Sequence, residues 1–268
     1  MDNILKYWTP EEFEISSHNS FKHRINKTLT NSGSDISGLC NYTHNELGFR
    51  GDSVKKDGFK VMSLGCSFTE GTGVNDDETW PAQFTKYIPN GVNMNFGVGA
   101  RSNDFISRCL IAYFNVIKPD LVLIMYTVPH RREIYTSNGG VEAFIPTATF
   151  SYTKETKEGK EKHEIMTLNQ NDYQDIDNWY RNHQLISLFL EKNKCNWLWN
   201  GSMIDYNYRD SLRFDGNFRP EIDYAADGSH PGPKSNYMYA KRLFEYIKTN
   251  FPHYIPDTSS FKRKANLI

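Results

Sequence analysis

The sequence predicts an α/β fold in which helices cover both faces of a parallel sheet. Short apolar runs alternate along the chain with longer segments of helical periodicity, and this alternation is typical of strand–helix–strand units. The run of residues 121–126 is continuously apolar, as expected for a strand that is buried on both faces. With 268 residues, the chain can bury a full core. We therefore expect a three-layer α/β/α domain with roughly four or five parallel strands.

The first strand is predicted over residues 59–64, immediately before Gly65. Residues 93–96 are the second candidate strand. Ser102 is then expected to cap a helix over residues 104–116, in which the apolar side chains keep helical spacing. The third strand is the apolar run already described.

Beyond the third strand the regular pattern is lost, and it returns only near the C-terminus. Residues 130–178 are interpreted as an insertion that contains a hairpin. A helix over 179–192, a strand over 196–199 and a helix over 237–249 follow. The predicted organisation is an N-terminal arm over residues 1–58, one domain over 59–250 with that insertion, and a tail over 251–268.

The charge balance and the apolar runs exclude several functional classes. Lys and Arg number 31 against 32 Asp and Glu, and a dedicated nucleic-acid binder needs a basic surplus to neutralise phosphates. Aromatic residues make up 14% of the chain, which excludes global disorder. The longest apolar run is far shorter than the roughly 20 residues that span a bilayer. We expect no nucleic-acid partner and no membrane span.

The N-terminus and the cysteines bear on localisation. The first residues contain no apolar core of a secretory signal. The four cysteines are far apart and form no Cys-x-x-Cys pair, as in proteins with reduced thiols. We expect a cytoplasmic protein, or a virion-associated one if the chain is phage-encoded.

A serine with glycine neighbours follows the first strand directly. Ser67 lies between Gly65 and Gly71. In that position its hydroxyl can lie at the mouth of the sheet, and its backbone N–H can face an oxyanion if a helix follows. The same segment also fits an ordinary strand-to-loop turn with a capping serine.

A second motif, Asp-x-x-His, precedes the last predicted helix. Asp227 is followed by His230, which stands before two prolines. At this spacing the carboxylate can fold back onto the imidazole, fix its tautomer and stabilise the imidazolium. The alternative is a solvent loop in which a histidine follows an aspartate by chance.

Together the two motifs resemble the SGNH (GDSL-like) hydrolase superfamily, which places its nucleophilic serine after the first strand and Asp-x-x-His before the C-terminal helix. Residues 43–50, 76–81 and 95–103 are similar to further segments of one branch of that family. The resemblance covers residues 43–130 and 195–250. It implies a flavodoxin-like sheet and ester hydrolysis without a metal or an organic cofactor.

The resemblance also implies roles for individual residues. Ser67 attacks the carbonyl, His230 acts as general base and then as general acid, and Asp227 orients His230. A second serine, Ser53, completes the letters Gly-Asp-Ser, but it follows a charged loop instead of a buried strand. Ser53 is therefore rejected as the nucleophile.

The oxyanion donors depart from the family pattern. The second-loop glycine corresponds to Ala100, with Gly99 beside it, and a backbone N–H survives a change to alanine where alanine can adopt the φ angle. The third loop usually reads Gly-x-Asn-Asp, and that asparagine is missing after residue 126. Thr127 and Asn103 are the two candidate substitutes. Loss of one such donor typically lowers the rate by about 10²–10³-fold.

A charged cluster, residues 130–133, follows the third loop. His130 and Arg131 belong either to a solvated cluster or to a rim that binds an anionic group of the substrate. The other histidines show no metal-ligand spacing, so no metal is expected.

The predicted activity is that of a serine esterase, with an O-acetyl or short acyl group on a carbohydrate as the first candidate substrate. One alternative is an SGNH-shaped binding or structural module with weak or no turnover, which the missing third-loop asparagine favours. The other is an acyltransferase that uses the same triad with a sugar as acceptor. The partner in all three cases is a small-molecule or carbohydrate ligand.

Overall fold

The computed structural model describes residues 28–29, 40–135, 141–146, 157–202, 208, 210–215, 218 and 222–257. The strands in these ranges are β1 (Thr28–Leu29), β2 (Tyr42–Thr43), β3 (Phe59–Gly65), β4 (Gly91–Gly97), β5 (Leu121–Tyr126), β6 (Arg132–Tyr135), β7 (Val141–Phe144) and β8 (Asn196–Gly201). The α-helices are α1 (Ser67–Glu70), α2 (Trp80–Thr85), α3 (Asn103–Ile117), α4 (Lys157–Asn169), α5 (Asp172–Lys192) and α6 (Pro233–Asn250). Most of the predicted N-terminal arm and of the tail lies outside the described residues.

The central sheet confirms the predicted fold class. Strands β4, β3, β5 and β8 lie side by side in that order, and every neighbouring pair is parallel. In chain order these are the second, first, third and fourth strands of the sheet, which is the beginning of the flavodoxin-like order. The carboxyl ends of all four strands therefore meet at one edge.

Both faces of the sheet are covered, because side chains alternate along each strand. On β5, Val122, Ile124 and Tyr126 point to the face that α3 and α5 cover. Leu121 and Leu123 point to the opposite face, where they pack with side chains of α2 and α6. Each face has its own buried apolar cluster, so the domain has the predicted three layers.

Local signals explain where the helices begin and end. The hydroxyl of Ser102 accepts a hydrogen bond from the Phe105 N–H at 3.3 Å, as the capping position requires. The same helix, α3, ends at Ile117 and is followed by the capping residue Lys118, which has a left-handed φ of 50°. Helix α6 begins at Pro233, earlier than predicted, because proline suits the first turn of a helix.

The insertion contains more regular structure than the sequence pattern indicated. Strands β6 and β7 form the predicted antiparallel hairpin. However, residues 157–169 form helix α4, and α5 begins at Asp172 instead of residue 179. Helix α4 has little apolar periodicity and carries ion pairs four residues apart, such as Lys162–Glu158 at 2.6 Å. A search for apolar periodicity therefore misses it.

Within the part of the chain that the structure describes, no helix combines the length and the apolar character needed to cross a bilayer.

Candidate active site

Ser67 is the first residue of helix α1, directly after strand β3. The turn between them is tight: a Cβ on Gly65 would lie 2.1 Å from the Thr69 hydroxyl oxygen. Only glycine therefore allows α1 to pack against the end of its own strand. Ser67 is 9% exposed, and its side chain lies at the carboxyl edge of the sheet.

The structure brings the predicted serine, histidine and aspartate together. His230 Nε2 lies 2.9 Å from Ser67 Oγ, and His230 Nδ1 contacts Asp227 Oδ2 in a short hydrogen bond. A carboxylate accepts, so the contact with Asp227 places the ring proton on Nδ1. Nε2 is then free to accept from the serine hydroxyl. This is the arrangement in which a serine hydroxyl can be deprotonated as it attacks.

The carboxylate of Asp227 is held by its own loop. Asp227 Oδ1 accepts hydrogen bonds from the backbone N–H groups of Ser229 and His230, both at 3.0 Å. Partial burial would raise the pKa of Asp227, but these N–H groups and the His230 ring lower it more, and the net pKa lies below the usual range. Asp227 is thus ionised at neutral pH, as a residue that orients an imidazolium must be.

A second aspartate anchors the same loop to helix α6. Asp223 accepts from the N–H groups of Lys234 at 3.0 Å and Ser235 at 2.9 Å, the first turn of α6. The loop closes on itself through the Ala225 N–H, which donates to the His230 carbonyl at 2.8 Å. These contacts fix the position of His230 relative to the sheet.

The second loop lies against Ser67. A Cβ on Gly99 would lie 3.8 Å from Ser67 Cβ. The Gly99 N–H donates to Glu70 Oε2 at 2.7 Å, so this donor is occupied. Ala100 has a left-handed φ of 63°, and its N–H donates no hydrogen bond within the described ranges. Of the two second-loop candidates, Gly99 and Ala100, only Ala100 has an N–H that donates no hydrogen bond within the described residues.

The third loop corrects the expectation for Asn103. The Asn103 side chain is 0% exposed; its Nδ2 donates to the Thr127 carbonyl at 3.2 Å, and its Oδ1 accepts from the Thr127 N–H at 3.0 Å. Its amide is committed to holding the third loop and is not a candidate oxyanion donor. Thr127 follows β5 at the edge that carries Ser67, and its Oγ1 accepts from Arg131 Nη1 at 3.0 Å.

The two rim residues lie just beyond Thr127. His130 is half-buried, and burial together with the neighbouring Arg131 cation lowers its pKa. The next arginine in the chain, Arg132, pairs with Asp175 at 2.6 Å, whereas Arg131 has no such carboxylate within the described part of the chain.

Sequence reasoning missed two residues that hold the Ser67 segment in place. Glu70 is 6% exposed and joins α1 to the second loop through Gly99. Arg50 is almost fully buried and donates to the carbonyls of Glu70 at 2.9 Å and Gly71 at 2.7 Å. Glu70 could have been identified from its position one helical turn after Ser67. Arg50 could have been identified from its position at the end of the segment 43–50.

The rejected serine has an ordinary structural contact. Ser53 Oγ donates to Glu46 Oε1 at 2.8 Å in an exposed loop. No group of three or more His, Cys, Asp or Glu side chains in the described residues is arranged to hold a metal ion.

No protein-family model and no curated protein matches the chain. Similar solved structures include a protein described as lipolytic, of the G-D-S-L family, from Desulfitobacterium hafniense (14% identity, 70% of this chain and 99% of that one, TM-score 0.33). A two-domain esterase active on acetylated mannans has 14% identity over 74% of this chain and 52% of its own, with a TM-score of 0.41. A carbohydrate acetylesterase family member from Sinorhizobium meliloti has 12% identity over 72% and 99%, with a TM-score of 0.32.

Proposed function

We propose that this protein hydrolyses carboxylic esters through Ser67, His230 and Asp227. The observation that carries the proposal is the 2.9 Å contact between Ser67 Oγ and His230 Nε2, with Asp227 on the other ring nitrogen. A serine hydroxyl at an ordinary pKa is a weak nucleophile, and an adjacent general base activates it. Ser67 comes from the start of α1 and the other two side chains from the loop before α6, and the contacts among the three are those that such activation requires.

The reaction divides into two half-reactions in which His230 moves the proton. In the first, Nε2 takes the Ser67 proton as Oγ attacks the carbonyl carbon, and then gives it to the departing alcohol, which leaves an acyl group on Ser67. In the second, Nε2 takes a proton from water, whose oxygen attacks the acyl carbon. His230 returns that proton to Ser67 Oγ as the carboxylic acid leaves. Asp227 accepts the hydrogen bond from the protonated Nδ1 of His230 throughout.

Two backbone N–H groups and one hydroxyl are proposed to stabilise the tetrahedral oxyanion. The N–H of Ser67 belongs to the first turn of α1 and donates no hydrogen bond within the described residues, as expected at a helix start. The N–H of Ala100 is the donor from the second loop. Thr127 is the candidate from the third loop, where its hydroxyl replaces the amide that the family usually has.

The decisive experiment is covalent labelling with a fluorophosphonate, followed by intact-mass analysis. An activated Ser67 is expected to gain one adduct, Ser67→Ala none, and His230→Ala an adduct at a rate lowered by about 10³-fold or more. Ser53→Ala is the matched control, because it removes the serine of the Gly-Asp-Ser letters and should label like the wild type. An adduct that persists in Ser67→Ala contradicts the proposal.

Turnover is measured next, on p-nitrophenyl acyl esters and on O-acetylated sugars, which we propose as the first substrate class to test. Release of acyl groups to added sugar instead of water would favour an acyltransferase with the same triad. If Ser67 is not labelled and no ester is cleaved, but sugar still binds, the chain is a binding module.

A further inference from the structure

Arg131 differs from four other arginines that are shielded from solvent. Each of these four has a carboxylate partner within the described residues, in the pairs Arg50–Asp76, Arg108–Glu133, Arg132–Asp175 and Arg213–Asp215. The hydrogen bond of Arg131 in the described structure runs from Nη1 to a neutral acceptor, Thr127 Oγ1, at 3.0 Å. Its Nε is closed to solvent and has no hydrogen-bond partner among the described residues.

Within the described residues, this arrangement leaves a partly desolvated cation without an anion. A buried donor that makes no hydrogen bond destabilises the folded chain, and more so when the group is charged. Proteins normally avoid this by pairing the charge. An anion from outside the chain that binds to Arg131 supplies the missing opposite charge.

The donor that stays accessible on the guanidinium indicates how an anion can bind. In Arg108, Nε and Nη2 donate side by side to the two carboxylate oxygens of Glu133, at 2.9 and 2.7 Å. In Arg131, Nη1 is occupied and Nε is closed to solvent, so a ligand cannot make the same two-point contact. Nη2 donates no hydrogen bond within the described part of the chain, and it can donate a charge-assisted hydrogen bond to a carboxylate oxygen of a ligand.

The position of Arg131 ties it to the candidate active site. Strands β3 and β5 are neighbours, with Leu64 paired to Ile124. Ser67 follows Leu64 at the same distance along the chain as Thr127 follows Ile124. Neighbouring strands lie about 5 Å apart, so both residues leave the sheet at one edge. Arg131 contacts Thr127 there and thus flanks the mouth in which an ester would bind.

We propose that Arg131 binds a carboxylate on the alcohol part of the ester, so that the substrates are acylated sugar acids or other acylated alcohols that carry a carboxylate. This inference rests on the proposed esterase function and specifies its substrate class.

The test compares two sugars that differ only in the carboxylate. Acetate release is measured from a mono-O-acetylated methyl glucuronoside and from the equally acetylated methyl glucoside, in which CH₂OH replaces the carboxylate. Charged hydrogen bonds of this kind favour the acidic ester in the wild type by an expected factor of about 10 or more in kcat/KM. The contact is made before and during the reaction, so the preference should appear mainly in KM.

Three variants identify the group responsible. Arg131→Gln should bring the preference close to one, and Arg131→Lys should keep part of it because the charge remains. Lys118→Gln removes an exposed cation at the opposite edge of the sheet, where α3 ends, and should keep the full preference. Added salt should weaken the preference in the wild type and not in Arg131→Gln.

The failure of this inference is distinguishable from failure of the proposed function. If Ser67 is labelled but the wild type shows no preference, or Arg131→Gln retains it, the carboxylate site is wrong and the esterase stands. If Ser67 is not labelled, calorimetric binding of the two deacetylated glycosides to the Ser67→Ala protein replaces the kinetic test. Tighter binding of the glucuronoside that is lost in Arg131→Gln supports the site, and equal binding overturns it.

Discussion

At the scale of single residues, the backbone of Ala100 stores strain near Ser67. Its φ of 63° lies in the left-handed region, which a residue with a Cβ occupies at a cost of roughly 1–2 kcal/mol. The neighbouring Gly99 is held by Glu70 at 2.7 Å, and this contact helps to impose the conformation. Strained residues of this type concentrate at functional sites, and here the strained peptide carries the proposed oxyanion N–H.

Ala100→Gly should therefore stabilise the protein. Glycine relieves the strain but is more flexible in the unfolded chain, so the expected net gain is about 0.5–1 kcal/mol in the free energy of unfolding. Urea denaturation measures it. Ala112→Gly, the same substitution inside helix α3, should instead destabilise by about 1 kcal/mol or more. Destabilisation by both substitutions would show that Ala100 is not strained.

The hydroxyl of Thr127 can be tested in the same way. Thr127→Val keeps the shape of the side chain and removes the donor, so kcat on a neutral p-nitrophenyl ester should fall by about 10²-fold with little change in KM. Thr85→Val, at a buried threonine of helix α2 whose hydroxyl bonds to its own helix, is the control and should leave kcat unchanged. An unchanged kcat in Thr127→Val removes Thr127 from the oxyanion site.

At the scale of secondary structure, apolar pattern predicts elements that are buried and misses those that are not. The strand over residues 121–126 was predicted with its observed bounds because all six side chains are buried. Helix α1 has four residues and shows no period. Helix α4 is stabilised by charge pairs on an exposed surface, so its sequence resembles a solvated loop.

The candidate site was predictable as far as local motifs reach. Ser67, Asp227 and His230 are recognisable because each motif is contiguous and their meeting follows from the common edge of a parallel sheet. The use of Asn103 to hold Thr127 and the occupied N–H of Gly99 depend on contacts between distant segments. Those contacts are decided by packing, which spacing along the chain does not encode.

The loop that carries His230 depends on the ionisation of Asp223. Burial would raise the pKa of Asp223, but the N–H groups of Lys234 and Ser235 lower it more, so the pKa in the folded protein lies below its usual value. A carboxyl group whose pKa is lowered by folding stabilises the protein at pH values above its pKa in the unfolded chain, which is about 4. This stabilisation is lost as the pH falls through the pKa of the folded state. Asp223 should therefore stabilise the loop at neutral pH and cease to do so in acid.

Asp223→Asn is expected to lower the melting temperature at pH 7, with a difference from the wild type that shrinks below about pH 4. Thermal denaturation followed by circular dichroism between pH 2.5 and 7 measures this difference. Asp57→Asn, at an exposed aspartate outside the loop, should show no comparable difference at any pH. A constant difference for Asp223→Asn across the range would mean that its charge does not matter.

At the scale of the whole molecule, a buried polar network joins the insertion to the α/β core. Arg108 of α3 is 1% exposed and donates twice to Glu133 of the hairpin strand β6, whose side chain is 2% exposed. Asp104 Oδ2 accepts from the Glu133 N–H at 2.9 Å, and Oδ1 accepts from Asn178 and Asn182 of α5, both at 2.8 Å. The hairpin begins just after the third loop, so this network also fixes the position of the proposed substrate rim.

Replacing Glu133 alone should lower the free energy of unfolding far more than replacing Arg108 and Glu133 together. Burial alone would lower the pKa of Arg108, but Glu133 more than offsets that effect; Glu133→Gln therefore leaves a buried cation without its anion. The expected loss is roughly 3–5 kcal/mol in the free energy of unfolding, whereas the double replacement Arg108→Met with Glu133→Leu should recover most of it. Asp177→Asn, in the exposed pair with Arg181, is the control and should cost at most about 1 kcal/mol. A Glu133→Gln loss no larger than that control would show that the hairpin is held by its apolar contacts instead of by this network.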